Sequence, residues 1–319
     1  MISWLWKQRK AFLGLFMSAG AAYYIWRRLD WQALSSLQTD FHPGYILPFG
    51  AALVFMHASF ALRWHFMNER IGRYAASAAA TVLATGGNAL LPARGGDILR
   101  MLYFKQKTGQ SVTVSAVRAI LEKGMDLPVL LSTVLITYSA FQKDLRILVV
   151  PAVMFAAILG AMVFVQIRPD ILNNLIARLE KFFRKDSQDR SSVRYIPAFG
   201  YLWRTFGVTV FMWYVPAAMA YYAFLLFVGI EPTATAVLVL ILFAALGVAL
   251  PSAPSGLGVF HASVASAFEL LGYGWESGVL YATVLHAFLN LPLAAAALVV
   301  YVADYDRTKP ASTAGPSPG

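Results

Sequence analysis

The stretch AASAAATVLATGGNALLPARGGDILRMLYFKQK, residues 75–107, decides the fold. Ala75 to Leu91 is apolar and rich in Ala, Thr and Gly, and reads as a helix inside hydrocarbon. Pro92-Ala93-Arg94-Gly95-Gly96 then stops it, because proline lacks an N–H and clashes with the preceding turn. The amphipathic piece that follows, Asp97 to Lys107, makes about 16 Å of helix, half the thickness of a bilayer core. This pattern predicts a re-entrant pair of half-helices rather than a span. Backbone groups freed by a break in hydrocarbon must face protein or a watery cavity, so the break also predicts a cavity.

Composition places the rest of the chain in the same environment. Of 319 residues 59% are hydrophobic and 13% charged, against about 25% charged in an ordinary soluble domain. That excludes soluble, disordered, collagen-like and disulfide-scaffold classes. Having no cysteine removes thiol catalysis, thiolate metal sites and disulfides. The net charge of +10 would suggest nucleic acid in a soluble protein. In an apolar chain it reads instead as membrane orientation and affinity for anionic lipid surfaces, so no nucleic-acid partner is expected.

Six apolar runs read as full spans: Ala11–Trp26, Tyr45–Met67, Val112–Phe141, Ile147–Ile167, Thr205–Val228 and Gly278–Ala303. The first follows Lys7, Arg9 and Lys10. Ala19-Gly20-Ala21 resembles a cleavage site, but Tyr23, Tyr24 and Trp26 form an interface belt that favours a retained helix. A second broken pair runs Val237–Leu250, then Pro251-Ser252-Ala253-Pro254-Ser255-Gly256, then Leu257–Leu271. The polar stretch 168–204 is expected to be a cytoplasmic connector carrying a surface helix near Ile171–Phe183, and the tail 304–319 to be disordered. The fold class is an all-α polytopic membrane protein of about six full spans plus two re-entrant half-helix hairpins.

Orientation follows from charge. With the N-terminus inside and both hairpins re-entrant, 22 of the 26 Lys and Arg fall on the cytoplasmic side, leaving Arg27, Arg28, Lys143 and Arg146 outside. Both termini are then cytoplasmic. The halves echo one another: Leu91-Pro92 before Gly95-Gly96 matches Leu250-Pro251 before Gly256-Leu257-Gly258, and Asp126-Leu127-Pro128 matches Asn290-Leu291-Pro292. Residues 1–143, with hairpin 75–107, and 144–303, with hairpin 237–271, therefore read as an inverted repeat, an arrangement that places a transport site near the midplane.

Two half-helix N-termini converging at the midplane would present free N–H groups and positive dipole ends, and glycines would let an anion approach the backbone. Asp97 and Ser255 are the expected N-caps. Arg94 and Arg100, with Asn88 beside them, would hold an anionic head group, unless they anchor at the interface. Gly95, Gly96, Pro251, Gly256 and Gly258 would form the cradle. Arg118, Glu122 and Asp126 share a helical face, with Lys123 adjacent. Glu122 would lie about 15 Å deep if its helix enters near Val112, where an ionisable group balances the arginines, lines the lipid-head path or carries a proton. His261 and His286 are weaker candidates. His57 and His65 have no third ligand in the sequence, and no nucleotide-binding, zinc-protease or serine-hydrolase motif occurs, so no metal, cofactor or catalytic residue is assigned.

Asn88-Ala89-Leu90-Leu91-Pro92-Ala93-Arg94-Gly95-Gly96-Asp97-Ile98-Leu99-Arg100, Glu122-Lys123 with Asp126, and the run from Pro251 to Phe260 resemble the flippase-like transmembrane region of the lysylphosphatidylglycerol synthase family. The resemblance spans about residues 5–303. It departs at Asp97, where the family commonly has Glu, at Lys123, where Arg is common, and at His261, where an acidic residue is frequent. The resemblance implies a lipid-translocating domain, here a freestanding member without the aminoacyl-transferase domain, of a kind sometimes associated with hopanoid metabolism. The expected function is movement of an anionic phospholipid, glycolipid or hopanoid between leaflets of the bacterial inner membrane, without enzymatic activity. Membrane lipids are the expected partners, with a second copy of the chain or lipid-synthesis enzymes as protein partners. An integral-membrane lipid-modifying enzyme using Asp97, Glu122 or Asp126, and a small-solute secondary transporter, stay open as alternatives.

Overall fold

A computed structural model describes residues 16–37, 40–91, 94–141, 145–183, 194–250 and 253–308. Among them every regular element is a helix. In chain order these are α1 (16–28), α2 (Trp31–Ser36), α3 (Ile46–Met67), α4 (Tyr74–Leu90), α5 (Gly95–Thr108), α6 (Val112–Phe141), α7 (Val149–Ile167), α8 (Pro169–Phe183), α9 (Phe199–Tyr214), α10 (Pro216–Phe227), α11 (Ala234–Ala249), α12 (Val259–Leu270) and α13 (Trp275–Thr308).

Four stretches are long and apolar enough to cross a membrane: Pro43–Met67, Val149–Ile167, Phe199–Phe227 and Trp275–Ala303. α6, at about 45 Å, has the length as well but carries Arg118, Glu122, Lys123 and Asp126 in its first half. The chain is a polytopic α-helical membrane protein. α7 shows how such a helix meets lipid: it is apolar all round and buries none of its residues, leaving Val150, Val153, Phe164 and Ile167 exposed.

Element boundaries follow local chemistry. The Thr233 hydroxyl caps α11 by accepting the Ala236 N–H at 3.1 Å, and Asp30 caps α2. Gly109, at φ +77°, closes α5 in the left-handed conformation that glycine adopts without strain. The predicted span Thr205–Val228 overlaps the crossing stretch Phe199–Phe227, which is built of two helices, α9 and α10, parted at Val215 because Pro216 can open a helix but not continue one. The last helix runs beyond Ala303 to Thr308, so the start of the predicted tail is helical; 309–319 lie outside the described residues.

Two hairpins organise the interior. α4 and α5 pack so closely that a Cβ on Gly96 would sit 2.2 Å from the Ala84 carbonyl oxygen. Their open ends, near Gly72 and Thr108, lie with the C-terminal end of α3, where the Gln110 side chain donates to Asn68 at 2.6 Å. α11 and α12 form the second hairpin, with Gly247 against Phe260. Its open end lies with the N-terminal end of α3, because α10, which leads into α11, finishes where the Phe227 carbonyl accepts the His42 N–H at 2.8 Å. The hairpins thus enter the bundle from opposite ends. α13 runs beside both: a Cβ on Gly86 of α4 would meet the Leu293 carbonyl oxygen at 2.0 Å, and one on Gly278 would meet the Ala265 Cα at 2.7 Å. The main apolar core joins Phe49 of α3, Phe224 of α10, Leu240 of α11, Phe260 and Phe268 of α12 and Leu285 of α13.

Candidate functional site

The two hairpin tips meet. Ser255, in the short turn Pro254–Gly256 that precedes α12, donates its hydroxyl to the Ala89 carbonyl at the end of α4, at 3.3 Å. Both tips turn through a non-glycine residue in the left-handed region, Arg94 at φ 58° and Ser255 at φ 60°, each followed by a glycine. Such residues cost about 1–3 kcal/mol of strain and persist where the surroundings over-determine them.

The expected N-caps are replaced by other groups. α5 is preceded by Arg94, and Asp97 sits inside its first turn, where it pairs with Arg94 at 3.3 Å. The Asp97 N–H donates instead to the Asn88 side-chain oxygen at 3.3 Å, so α4 caps α5 across the hairpin. α12 is preceded by Gly258 at φ 82°, which leaves Ser255 free to bridge to the other hairpin.

Beside the tips lies a cavity of about 790 Å³. Its walls come from both breaks (Ala89, Leu90, Ser255, Gly258), from α1 and α2 (Ile25, Trp26, Trp31) and from α13 (Thr283, Ala287, Asn290). α1 is tied to the second break, since Ser18 accepts the Ala253 N–H at 2.7 Å and Gly258 lies against the Ser18 carbonyl. The walls are apolar except for one cluster. His286 Nε2 lies 2.9 Å from the Ser255 carbonyl oxygen, His261 and His286 rings are 4.9 Å apart, and Asn290 donates to the His286 carbonyl at 2.8 Å. His261 Nδ1 is buried without a protein partner.

A second polar cluster lies away from the cavity. Arg63 of α3, fully buried, donates to Glu122 at 2.6 Å and to Asp126 at 2.5 Å. Arg100 of α5 donates to the other Glu122 oxygen at 3.0 Å and lies 4.0 Å over the Trp64 ring. Trp213 of α9 donates to Asp126 at 2.9 Å. Two guanidiniums balance two carboxylates, which lets four charged side chains be buried together. Lys123 adds a longer contact to Asp126, 3.8 Å, from a half-exposed side chain.

The two clusters occupy matching places in the two halves. Arg100 follows six residues after Arg94, as His261 follows six after Ser255. Glu122 stands four residues before Asp126 and six before Pro128, as His286 stands four before Asn290 and six before Pro292. An ion pair in the first half thus corresponds to a pair of histidines in the second.

The sequence-predicted residues therefore divide. Ser255, Gly258 and His261 line the cavity. Arg100, Glu122 and Asp126 form the buried ionic cluster. Asn88, Arg94, Gly95 and Asp97 build the first tip, and Gly96 serves the close approach of α5 to α4. Gly256 is buried in the second turn, and Pro251 lies outside the described residues. Neither Arg94 nor Arg100 lines the cavity. The guanidinium of Arg100 is already engaged by Glu122, because a buried cation takes the nearest carboxylate.

The family model of the lysylphosphatidylglycerol synthase TM region matches residues 11–297, which include both hairpins, both clusters and the cavity wall. The chain belongs to this family. No curated protein matches it. Within this synthase-type transmembrane region, sequence reasoning missed Arg63, counted only as an orienting charge, and Trp213. Their partners lie 59 and 87 residues away in sequence, and no local pattern connects them. Asn290 was visible as the counterpart of Asp126 in the internal echo.

Proposed function

We propose that the chain moves a lipid between the leaflets of the bacterial inner membrane. The observation that carries this reading is the cavity at the meeting point of the two hairpin tips, apolar over most of its wall and polar at one cluster. Such a cavity suits a molecule with one polar end and an apolar body. Hairpins entering from opposite ends give each tip access from one face, which is the geometry alternating access requires. Membership of a family named for a lipid synthase supports a lipid as cargo. With no nucleotide-binding motif in the sequence, transfer runs down a gradient or is coupled to an ion.

The placement of the carboxylates favours transport over lipid modification. Asp97, Glu122 and Asp126, the carboxylates an enzyme would use, are each held by arginine, and none lines the cavity. Purified protein in sealed vesicles carrying fluorescent lipid in one leaflet tests the proposal. Transfer that scales with the protein content supports it; transfer no faster than in empty vesicles rejects it.

A further inference from the structure

We propose that the cavity at the hairpin tips selects a lipid whose polar end is uncharged and carries hydroxyl groups. The inference rests on the transport reading and names its substrate class. None of the described residues lining the cavity is Lys, Arg, Asp or Glu. A phosphate or ammonium placed there would lose its hydration and meet no countercharge, a heavy penalty in apolar surroundings. The nearby arginines do not supply that countercharge, since Arg100 is buried against Glu122 and neither it nor Arg94 is in the cavity wall.

What the cavity offers is a set of neutral hydrogen-bonding atoms at one place. His286 Nε2 faces a carbonyl oxygen, which can only accept, so Nε2 carries the ring proton and Nδ1 of the neutral ring is an acceptor. Asn290 uses its amide N–H on the His286 carbonyl, leaving its side-chain oxygen as an acceptor. His261, in the same wall with its ring 4.9 Å from that of His286, adds one N–H and one acceptor nitrogen in its neutral form. The cluster thus combines neutral acceptors with the second Asn290 amide N–H and one His261 N–H, and a hydroxyl group, which both donates and accepts, is the uncharged lipid moiety that pairs with both. The remaining wall, from Ile25, Trp26, Leu29, Leu257 and Leu291, suits hydrocarbon.

The test uses the full chain in phosphatidylcholine vesicles doped with equal amounts of dioleoylglycerol, monoglucosyl-dioleoylglycerol, phosphatidylglycerol and phosphatidic acid. Lipid retained through detergent purification is quantified by mass spectrometry, for wild type and for His261→Phe. The expected result is at least fivefold enrichment of the two uncharged hydroxyl lipids over the two anionic ones, lost in His261→Phe. Equal retention of all four, enrichment that follows charge, or an unchanged profile in a folded His261→Phe overturns the inference. Should that variant fail to fold, competition among the four probes on wild type decides the matter. Transfer of the anionic probes between leaflets without enrichment of the uncharged ones would reject the inference and leave transport standing. Enrichment of the uncharged lipids with transfer of no probe would reject transport and leave the selectivity.

Discussion

Arg63 and Glu122 lie 2.6 Å apart with essentially no exposure, and through Glu122 the α3 arginine is tied to Arg100 on the first hairpin. Glu122 is therefore the hinge point of a balanced charge cluster that fixes α5 to α3 and α6. Replacing it with Gln leaves two buried guanidiniums with one carboxylate between them, and removing one member of a buried pair costs about 3–5 kcal/mol. Glu122→Gln should lower the unfolding midpoint in detergent sharply. Lys123→Ala, at a half-exposed side chain with a 3.8 Å contact, should change stability by no more than about 1 kcal/mol. Equal effects in the two variants would show that the cluster is not structural.

The small residues between hairpin and span make a second prediction. Gly86→Ala puts a methyl group 2.0 Å from the Leu293 carbonyl oxygen, which belongs to backbone and cannot swing aside. The expected cost is about 1–3 kcal/mol. Gly124→Ala in α6 meets open space and gains about 0.5–1 kcal/mol of helix stability. Thermal unfolding of the two variants should move in opposite directions.

Sidedness can be read directly, because the chain has no cysteine to interfere. Arg73 and Glu231 are both exposed, Arg73 at the open end of the first hairpin and Glu231 at that of the second. A membrane-impermeant maleimide added to intact cells should label Glu231→Cys and reach Arg73→Cys only after lysis. The reverse pattern would invert the proposed orientation; labelling of both from one side would contradict hairpins that enter from opposite faces.

Much of this architecture was legible before any coordinates. Pro92 and Pro251 with their following glycines marked the tips, since few other signals stop an apolar helix so firmly, and the predicted and observed ends of α4, α6 and α7 agree within two residues. The internal echo of Asp126 and Asn290 pointed to equivalent places on two long helices. What could not be read was pairing across the bundle. Arg63 looks like one more orienting charge until α3, α5 and α6 are placed side by side. The caps failed for a related reason: Asp97 and Ser255 have the right chemistry, but the left-handed turns at Arg94 and Ser255 shift the helix starts, and Asn88 supplies the cap from a neighbouring helix. The cavity draws part of its wall from α1 and α2, segments without such a motif, and more of it from α13, whose Asn290-Leu291-Pro292 marks a place on the helix but not the cavity beside it.

The proposed route takes lipid through the cavity beside the hairpin tips. Its most direct test is leaflet transfer measured for wild type and for Ala287→Trp, which places an indole into the cavity from α13. Ala287→Trp should lose at least tenfold in transfer rate while its unfolding midpoint stays close to that of wild type. Wild-type transfer rates in a folded Ala287→Trp protein would contradict that route.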